Sequence, residues 1–259
     1  MKVLILAAGQ GRRLLPLTAE IPKALLDIGG QTLIGRQIDA FAAHGIDDFV
    51  VVTGFAADKM EEALDRIARR DHVAIRTVYN PFYAVSDNLA SCWMARHAMD
   101  GDFIQVNGDN VFHPDLVAAL LHAEGAEVTV AINRKDSYDD DDMKVILEGN
   151  RLTEIGKTLP LEAVNAEATG FYIFRGEGPR LYRETLEEMM REPAALRQWF
   201  PAAIGRLARR IPVGIIDLTG HTWCEVDFPS DLTEARRLVA QWDAAGAMEL
   251  PSGPTLLRS

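Results

Sequence analysis

Cysteine is scarce: the 259 residues contain only Cys92 and Cys224. Two isolated thiols with no Cys-x-x-Cys pair exclude a disulfide-stapled fold and a cysteine-rich metal site, and predict a reducing, cytoplasmic setting. The six histidines, at 44, 72, 97, 113, 122 and 221, form no His-Glu-x-x-His or His-x-His cluster, so surface or core positions are expected for all of them. No apolar run nears the roughly 18 residues of a membrane span. The chain opens on a strand-like segment and not on the regions of a signal peptide. Positive charge is also short, with 27 Lys and Arg against 38 Asp and Glu and a net charge of −11. That balance argues against nucleic acid or an anionic membrane as a partner. Composition is otherwise ordinary, 48% hydrophobic and 25% charged, and the length suffices for one substantial core. No linker, low-complexity stretch or internal repeat interrupts it. Residues 1–244 are expected to fold as a single domain, followed by a loosely held tail, 245–259, that contains Gly246, Pro251, Gly253 and Pro254.

The positive charge that is present is concentrated near the start. The hydrophobic segment Lys2-Val-Leu-Ile-Leu6 runs directly into Ala7-Ala8-Gly9-Gln-Gly11-Arg-Arg13-Leu-Leu-Pro16, and Pro22-Lys23 follows. A buried strand feeding a glycine loop lays successive backbone N–H groups along an anion, because glycine tolerates positive φ and close approach. Arg13 and Lys23 then place two fixed charges over the same group, an arrangement suited to a polyphosphate.

Downstream, short apolar strands alternate with amphipathic helices as far as Arg134: strands at Lys2–Ala8, Asp48–Gly54, Ala74–Asn80, Phe103–Asp109 and Val128–Arg134, with helices between them, including one over Ser86–Met99 capped by Ser86. This rhythm predicts an α/β fold with a doubly wound, mostly parallel, Rossmann-like sheet. Met143–Leu147 and Leu152–Lys157, split by Glu148-Gly149-Asn150-Arg151, predict an added antiparallel hairpin. Strands at Gly170–Phe174, Val213–Leu218 and Thr222–Asp227 and a last helix over 229–244 follow.

Asp109 ends one predicted strand in Val-Asn-Gly-Asp-Asn, and Asp227 ends another in Trp223-Cys-Glu-Val-Asp227. Ligands of open α/β sheets bind at the C-terminal strand ends, and Mg²⁺ typically takes one or two carboxylates together with substrate phosphates. Asp109 and Asp227 are therefore the expected Mg²⁺ ligands, against the alternative that each merely caps a turn or helix.

The string Gly-x-Gly-x-Arg-Leu-x-Pro-x-Thr followed by Pro-Lys resembles the signature of the pyrophosphorylase-like nucleotidyltransferases. The resemblance covers about 230 residues, with strong identity confined to the first loop and scattered anchors. It implies a nucleotidyltransferase fold and a metal held by the Gly-Asp after the fourth strand and a late Asp. Arg13 and Lys23 are then the catalytic cations, and Leu6, Ala7, Ala8, Gly9 and Gly11 lie along the nucleotide. Asn80-Pro-Phe-Tyr83-Ala-Val-Ser86-Asp-Asn88-Leu-Ala-Ser91 replaces the second glycine-rich loop of hexose-phosphate members and is similar to the phosphocholine cytidylyltransferase branch. That branch implies CTP, with Asn80, Asn88 and Ser91 at base and ribose. Met143-Lys144-Val145, Ile-Gly-Lys157 and Ala166-Glu167-Ala-Thr-Gly170 read either as a solvated hairpin with exposed lysines or as an acceptor site. In the second reading they look like the alcohol-phosphate cytidylyltransferases, which implies that Lys157 faces the acceptor phosphate, with Lys144 and Glu167 among the acceptor-binding residues. Arg12 departs from the Ser or Thr more usual in the family.

Tyr138-Asp139-Asp140-Asp141-Asp142 reads either as a solvated loop or as a trap for an ammonium group, in which Asp141 and its neighbours are walled by Tyr83, Tyr138 or Trp223 through cation–π contact. The expected reaction is transfer of CMP from CTP to a phosphorylated small alcohol, phosphocholine or phosphoethanolamine favoured, by a monomer or homodimer. A sugar-1-phosphate uridylyl- or thymidylyltransferase and a non-catalytic relative remain alternatives. A glycosyltransferase would want Asp-x-Asp where Gly108-Asp109-Asn110 stands, and a dinucleotide-binding oxidoreductase would want a third glycine after Gly11.

Overall fold

A computed structural model describes residues 1–123 and 125–249, with side chains described as far as residue 245. In chain order the elements are β1 (Lys2–Leu6), α1 (Leu33–Ala42), β2 (Asp48–Thr53), α2 (Ala57–Asp71), β3 (Ala74–Tyr79), α3 (Asn88–Met94), β4 (Phe103–Asn107), β5 (Asn110–Phe112) and α4 (Asp115–His122). They continue with β6 (Val128–Asn133), β7 (Lys144–Glu148), β8 (Arg151–Gly156), β9 (Ala166–Phe174), α5 (Gly178–Met189), α6 (Pro201–Ala208), β10 (Val213–Asp217), β11 (Trp223–Glu225) and α7 (Pro229–Glu249).

Nine strands form one sheet in the order β3-β2-β1-β4-β9-β6-β10-β8-β7, and β11 pairs with β5 in a separate two-stranded ribbon. Alternate residues of each central strand enter opposite cores, as the two-residue period of a strand requires. Leu4, Val50, Val52, Tyr172 and Phe174 pack toward α3, α5 and α6. Val3, Ile5, Phe49, Val51, Phe171 and Ile173 pack toward α1, α2 and α4. Helices on both faces are the expected doubly wound arrangement. A third cluster joins Leu14, Leu26 and Ile28 of the segment after the glycine loop to Leu232, Ala235 and Val239 of α7. The last helix thereby clamps the first loop.

The expectation of a mostly parallel sheet needs correction. β1, β2, β3 and β4 are parallel, as are β6 and β10, but β9 runs antiparallel to both β4 and β6 through the middle of the sheet. The chain leaves β8 at Gly156 and starts β9 at Ala166. β7 runs antiparallel to both β8 and β9, so β8 and β9 point the same way but lie apart in the sheet. β9 fills the space between β4 and β6 as an antiparallel strand, which needs no crossover helix of its own. The hairpin of β7 and β8 is present as expected, and β7 also touches the start of β9.

Smaller corrections follow local chemistry. The helix expected from Ser86 starts at Asn88 and gives way to a 3₁₀ turn at Arg96–Ala98, while the Ser86 hydroxyl donates to the Phe82 carbonyl. The segment over Thr222–Asp227 is strand only from Trp223 to Glu225. The last helix extends to Glu249 instead of ending at 244, and the expectation for 250–259 lies outside the described residues. Among the described residues no helix is long and apolar enough to cross a membrane.

Candidate active site

At the C-terminal end of β1 the chain turns through Gly11, whose φ of 74° brings the loop back on itself. A Cβ there would lie 2.9 Å from Lys23 Cβ, so only glycine lets the lysine stem lie against the loop. The buried Thr18 hydroxyl donates to the Gly11 carbonyl at 2.8 Å and Leu14 is fully buried beneath. The loop is held open, with Leu6, Ala7, Ala8, Gly9 and Gly11 along one wall of a cavity of about 250 Å³.

Lys23 is the hub of the site. Its Nζ donates to Asp109 Oδ2 at 2.8 Å and to Asp227 Oδ1 at 2.7 Å. Burial opposes the charge on Lys23, but the two carboxylates outweigh it and raise the lysine above its ordinary value. Burial likewise opposes the charge on Asp227, and Lys23, Arg13 and Lys157 overcome it and hold the carboxyl below the usual range. Asp109 sits in the turn between β4 and β5, and Asp227 lies two residues past β11. Neither is a cap. Asp231 accepts the N–H groups of Asp227 (3.0 Å) and Phe228 (2.8 Å), which leaves the Asp227 side chain free for Lys23. Glu225, the last residue of β11, is raised to about 8 by burial and by Asp109 and Asp227 beside it.

The donor set fits Mg²⁺. Asp109 Oδ1 is buried without a hydrogen-bond partner, and Asp109 borders both cavities of the cleft. Among the described residues no three His, Cys, Asp or Glu converge as a self-sufficient metal cage. Two hard oxygen donors needing substrate phosphates to complete a shell are what Mg²⁺ takes.

The second cavity, about 340 Å³, adjoins the first and shares Asn88, Asn107, Asp109 and Trp199 with it. Its wall is acidic and aromatic: Asp139, Asp141, Asp142, Glu167, Glu225 and Asp227 alternate with Tyr172, Trp199, Phe200, Trp223 and Phe228. Lys157 is the one lysine on it, with Nζ 4.5 Å from the centre of the Trp199 ring and 3.6 Å from Asp141 Oδ1. Arg13 reaches across from the glycine loop to Asp227 (3.4 Å) and Asp141 (3.3 Å), its guanidinium 4.9 Å from the centre of the Phe228 ring.

Of the expected nucleotide contacts, Asn80, Asn88 and Ser91 all line the glycine-loop cavity. Asn80 is spent internally, donating to Ser91 Oγ at 3.0 Å and accepting from the Phe82 N–H at 2.9 Å. Asn88 Oδ1 accepts the N–H of Phe200 at 2.8 Å. Of the expected acceptor contacts, Asp141, Lys157, Glu167 and Trp223 line the acidic cavity. Three others are placed elsewhere. Tyr83 lines the glycine-loop cavity and packs edge-on against Phe55. Tyr138 lies under the Lys135 ammonium, its hydroxyl accepting the Lys135 N–H. Lys144 is 2% exposed, and its ammonium donates to the backbone carbonyls of Asp139 and Lys157 (2.9 Å). Tyr138 is adjacent to the acidic run in sequence, yet its ring faces Lys135, and Tyr83, distant in sequence, belongs to the other cavity. Trp199, Phe228 and Glu225 were missed. Glu225 alone carried a signal, because i and i+2 share a strand face with Asp227.

Known proteins resemble the chain in sequence and in fold. The MobA-like NTP transferase domain matches residues 3–207. A bifunctional IPC transferase and DIPP synthase of Rubrobacter xylanophilus is 31% identical over 245 residues, covering 93% of this chain and 52% of its own length. The choline-phosphate cytidylyltransferase of Streptococcus pneumoniae is 32% identical over 110 residues, 42% of this chain and 45% of that protein. The chain thus spans about half the length of the curated relatives it matches. The inositol-1-phosphate CTP transferase from T. maritima superposes with a TM-score of 0.78 at 19% identity, covering 93% of this chain and 96% of that one, a likeness of fold.

Proposed function

Because the chain belongs to the MobA-like NTP transferase family, we propose that it transfers CMP from CTP to a phosphorylated small amino alcohol, phosphocholine or phosphoethanolamine, releasing pyrophosphate. The observation that carries this reading is the pair of adjoining cavities, one built on a glycine loop and one acidic and aromatic, meeting at Asp109 and Trp199. The names of the cytidylyltransferase relatives support the nucleotide. So does Ser91, whose oxygen already accepts from Asn80 and whose proton is left to donate to a pyrimidine acceptor. The second cavity supports the acceptor: a quaternary ammonium donates no hydrogen bond and is held by carboxylate charge and ring faces, worth about 0.5–2 kcal/mol per aromatic.

In this reading an oxygen of the acceptor phosphate attacks the α-phosphorus as the bond to the β-phosphate oxygen breaks in line. A phosphate dianion needs no general base, so positioning and charge neutralisation carry catalysis. The amides of the glycine loop receive the triphosphate, Arg13 neutralises the departing pyrophosphate, and Lys23 takes charge developing at the α-phosphoryl group. Lys157 offsets repulsion between the acceptor phosphate and the nucleotide. Asp109 and Asp227 would hold Mg²⁺, which when bound supplies further charge neutralisation on the phosphates.

Pyrophosphate release measured with CTP and UTP across phosphocholine, phosphoethanolamine, inositol 1-phosphate and glucose 1-phosphate tests this. Turnover with CTP and an ammonium-bearing acceptor is expected. Preference for inositol or glucose phosphate over every ammonium-bearing acceptor overturns the acceptor assignment, and no release from either nucleotide overturns the reaction.

A further inference from the structure

Lys144 is a buried cation without a carboxylate partner among the described residues. It begins β7, it is 2% exposed, and its Nζ donates to two backbone carbonyls, those of Asp139 and Lys157. Desolvating an ammonium is costly, and an apolar chain of equal length would fill the same space without that cost. What only the ammonium supplies is the pair of donated hydrogen bonds.

The two carbonyls belong to two neighbouring segments that both line the acidic cavity. One is the turn Asp139–Asp142, which is ordered internally: Asp139 Oδ1 accepts the N–H groups of Asp141 (2.9 Å) and Asp142 (3.2 Å), and Asp142 Oδ2 accepts that of Asp139 (2.7 Å). The other is the end of the hairpin at Lys157, whose ammonium lies 3.6 Å from Asp141. Lys144 ties the backbone of one to the backbone of the other, on the protein side of that ion pair. Its own N–H adds a third tether, to the Asp142 carbonyl at 3.0 Å.

We propose that Lys144 is a positioning residue for the acceptor half of the cleft, setting the distance between the acidic turn and the Lys157 ammonium without touching substrate itself. The proposal rests on the functional reading above only for its kinetic readout.

The test is a cycle of Lys144→Met, Lys157→Met and the double variant in the full chain, with CTP and phosphocholine as probes and amide hydrogen exchange as a second readout. Lys144→Met is expected to raise the phosphocholine KM by about tenfold, the scale of coupling within one hydrogen-bond network, and to leave the CTP KM within about twofold. Added to Lys157→Met it should change little further. Exchange should quicken at the N–H groups of Asp141 and Asp142 and stay unchanged in β1 and β4. Should Lys144→Met fail to fold, Lys144→Gln, which keeps an amide donor, enters the same cycle. An unchanged phosphocholine KM with a lowered melting temperature overturns the proposal, as do additive effects of the two substitutions. If the unsubstituted protein releases no pyrophosphate, the functional reading fails and the exchange data alone decide on Lys144: unchanged protection of the turn overturns it.

Discussion

Asp109 presents one oxygen to Lys23 and leaves the other buried without a partner. Asparagine at 109 keeps the volume and loses the charge. Asp109→Asn is expected to lower Mg²⁺-dependent turnover by on the order of 10²–10³, the scale of one lost electrostatic partner, with a melting temperature close to that of the parent. Retained turnover with earlier melting would make Asp109 structural instead. Arg13→Ala and Lys23→Ala should each reduce kcat/KM by on the order of 10²–10³, and steady-state kinetics with saturating acceptor checks both. Trp199→Ala should raise the KM for an ammonium-bearing acceptor phosphate several-fold, since one ring face is worth about 0.5–2 kcal/mol, and should raise that for a polyol phosphate less. The individual site residues were readable to different degrees. Arg13 and Lys23 stand in a motif, and Asp109 and Asp227 stand where strand ends gather ligands. Trp199 was invisible because it follows a non-periodic stretch whose path the sequence pattern does not fix. Phe228 was invisible because it lies just past the end of an expected strand, where the period no longer says which way a side chain faces. The sequence expectation put Lys144 at the acceptor and gave no sign of its burial, because an ammonium satisfied by carbonyls leaves no trace in spacing.

β9 is where local pattern said least. Its run Ala166–Phe174 is buried throughout, and a strand buried on both faces carries no mark of its direction. Gly170 within it has φ +81° and lines the acidic cavity, and a Cβ there would stand 2.7 Å from Asn110 Nδ2 and 2.9 Å from Asn107 Nδ2. Gly170→Ala is accordingly expected to destabilise by about 1–3 kcal/mol through backbone strain, read by chemical denaturation, and to weaken turnover because Asn107 borders both cavities. The alternating elements before Arg134 were legible because each carries its own period, and the hairpin because Gly149 punctuates two β-prone runs. In α3, Cys92 is fully buried, and desolvation pushes its thiol up to about 12. It should stay unreactive toward a thiol reagent at pH 8 until the protein is unfolded, and rapid modification in the native state would refute that packing.

Across the whole molecule, the charge of −11 is opposed locally by Arg13 and Lys23, and the two cavities open as one trough. A ligand that binds only the folded chain at about 100 times its Kd adds about 2.7 kcal/mol. At about 2–4 °C per kcal/mol for a chain of this size, CTP with Mg²⁺ should raise the melting temperature by several degrees. A chelator should abolish the rise, and a rise that survives chelation would detach metal from nucleotide binding. The shared wall of Asn88, Asn107, Asp109 and Trp199 has a kinetic corollary. In the proposed reaction a CDP-alcohol would span both chambers in one covalent piece and gain from each what CTP and the acceptor gain separately, as linked ligands do. It should compete with both substrates at once, whereas free acceptor alcohol competes with one. Turnover would then slow as the conjugate accumulates, and the rate in a cell would be set by whatever consumes that conjugate downstream.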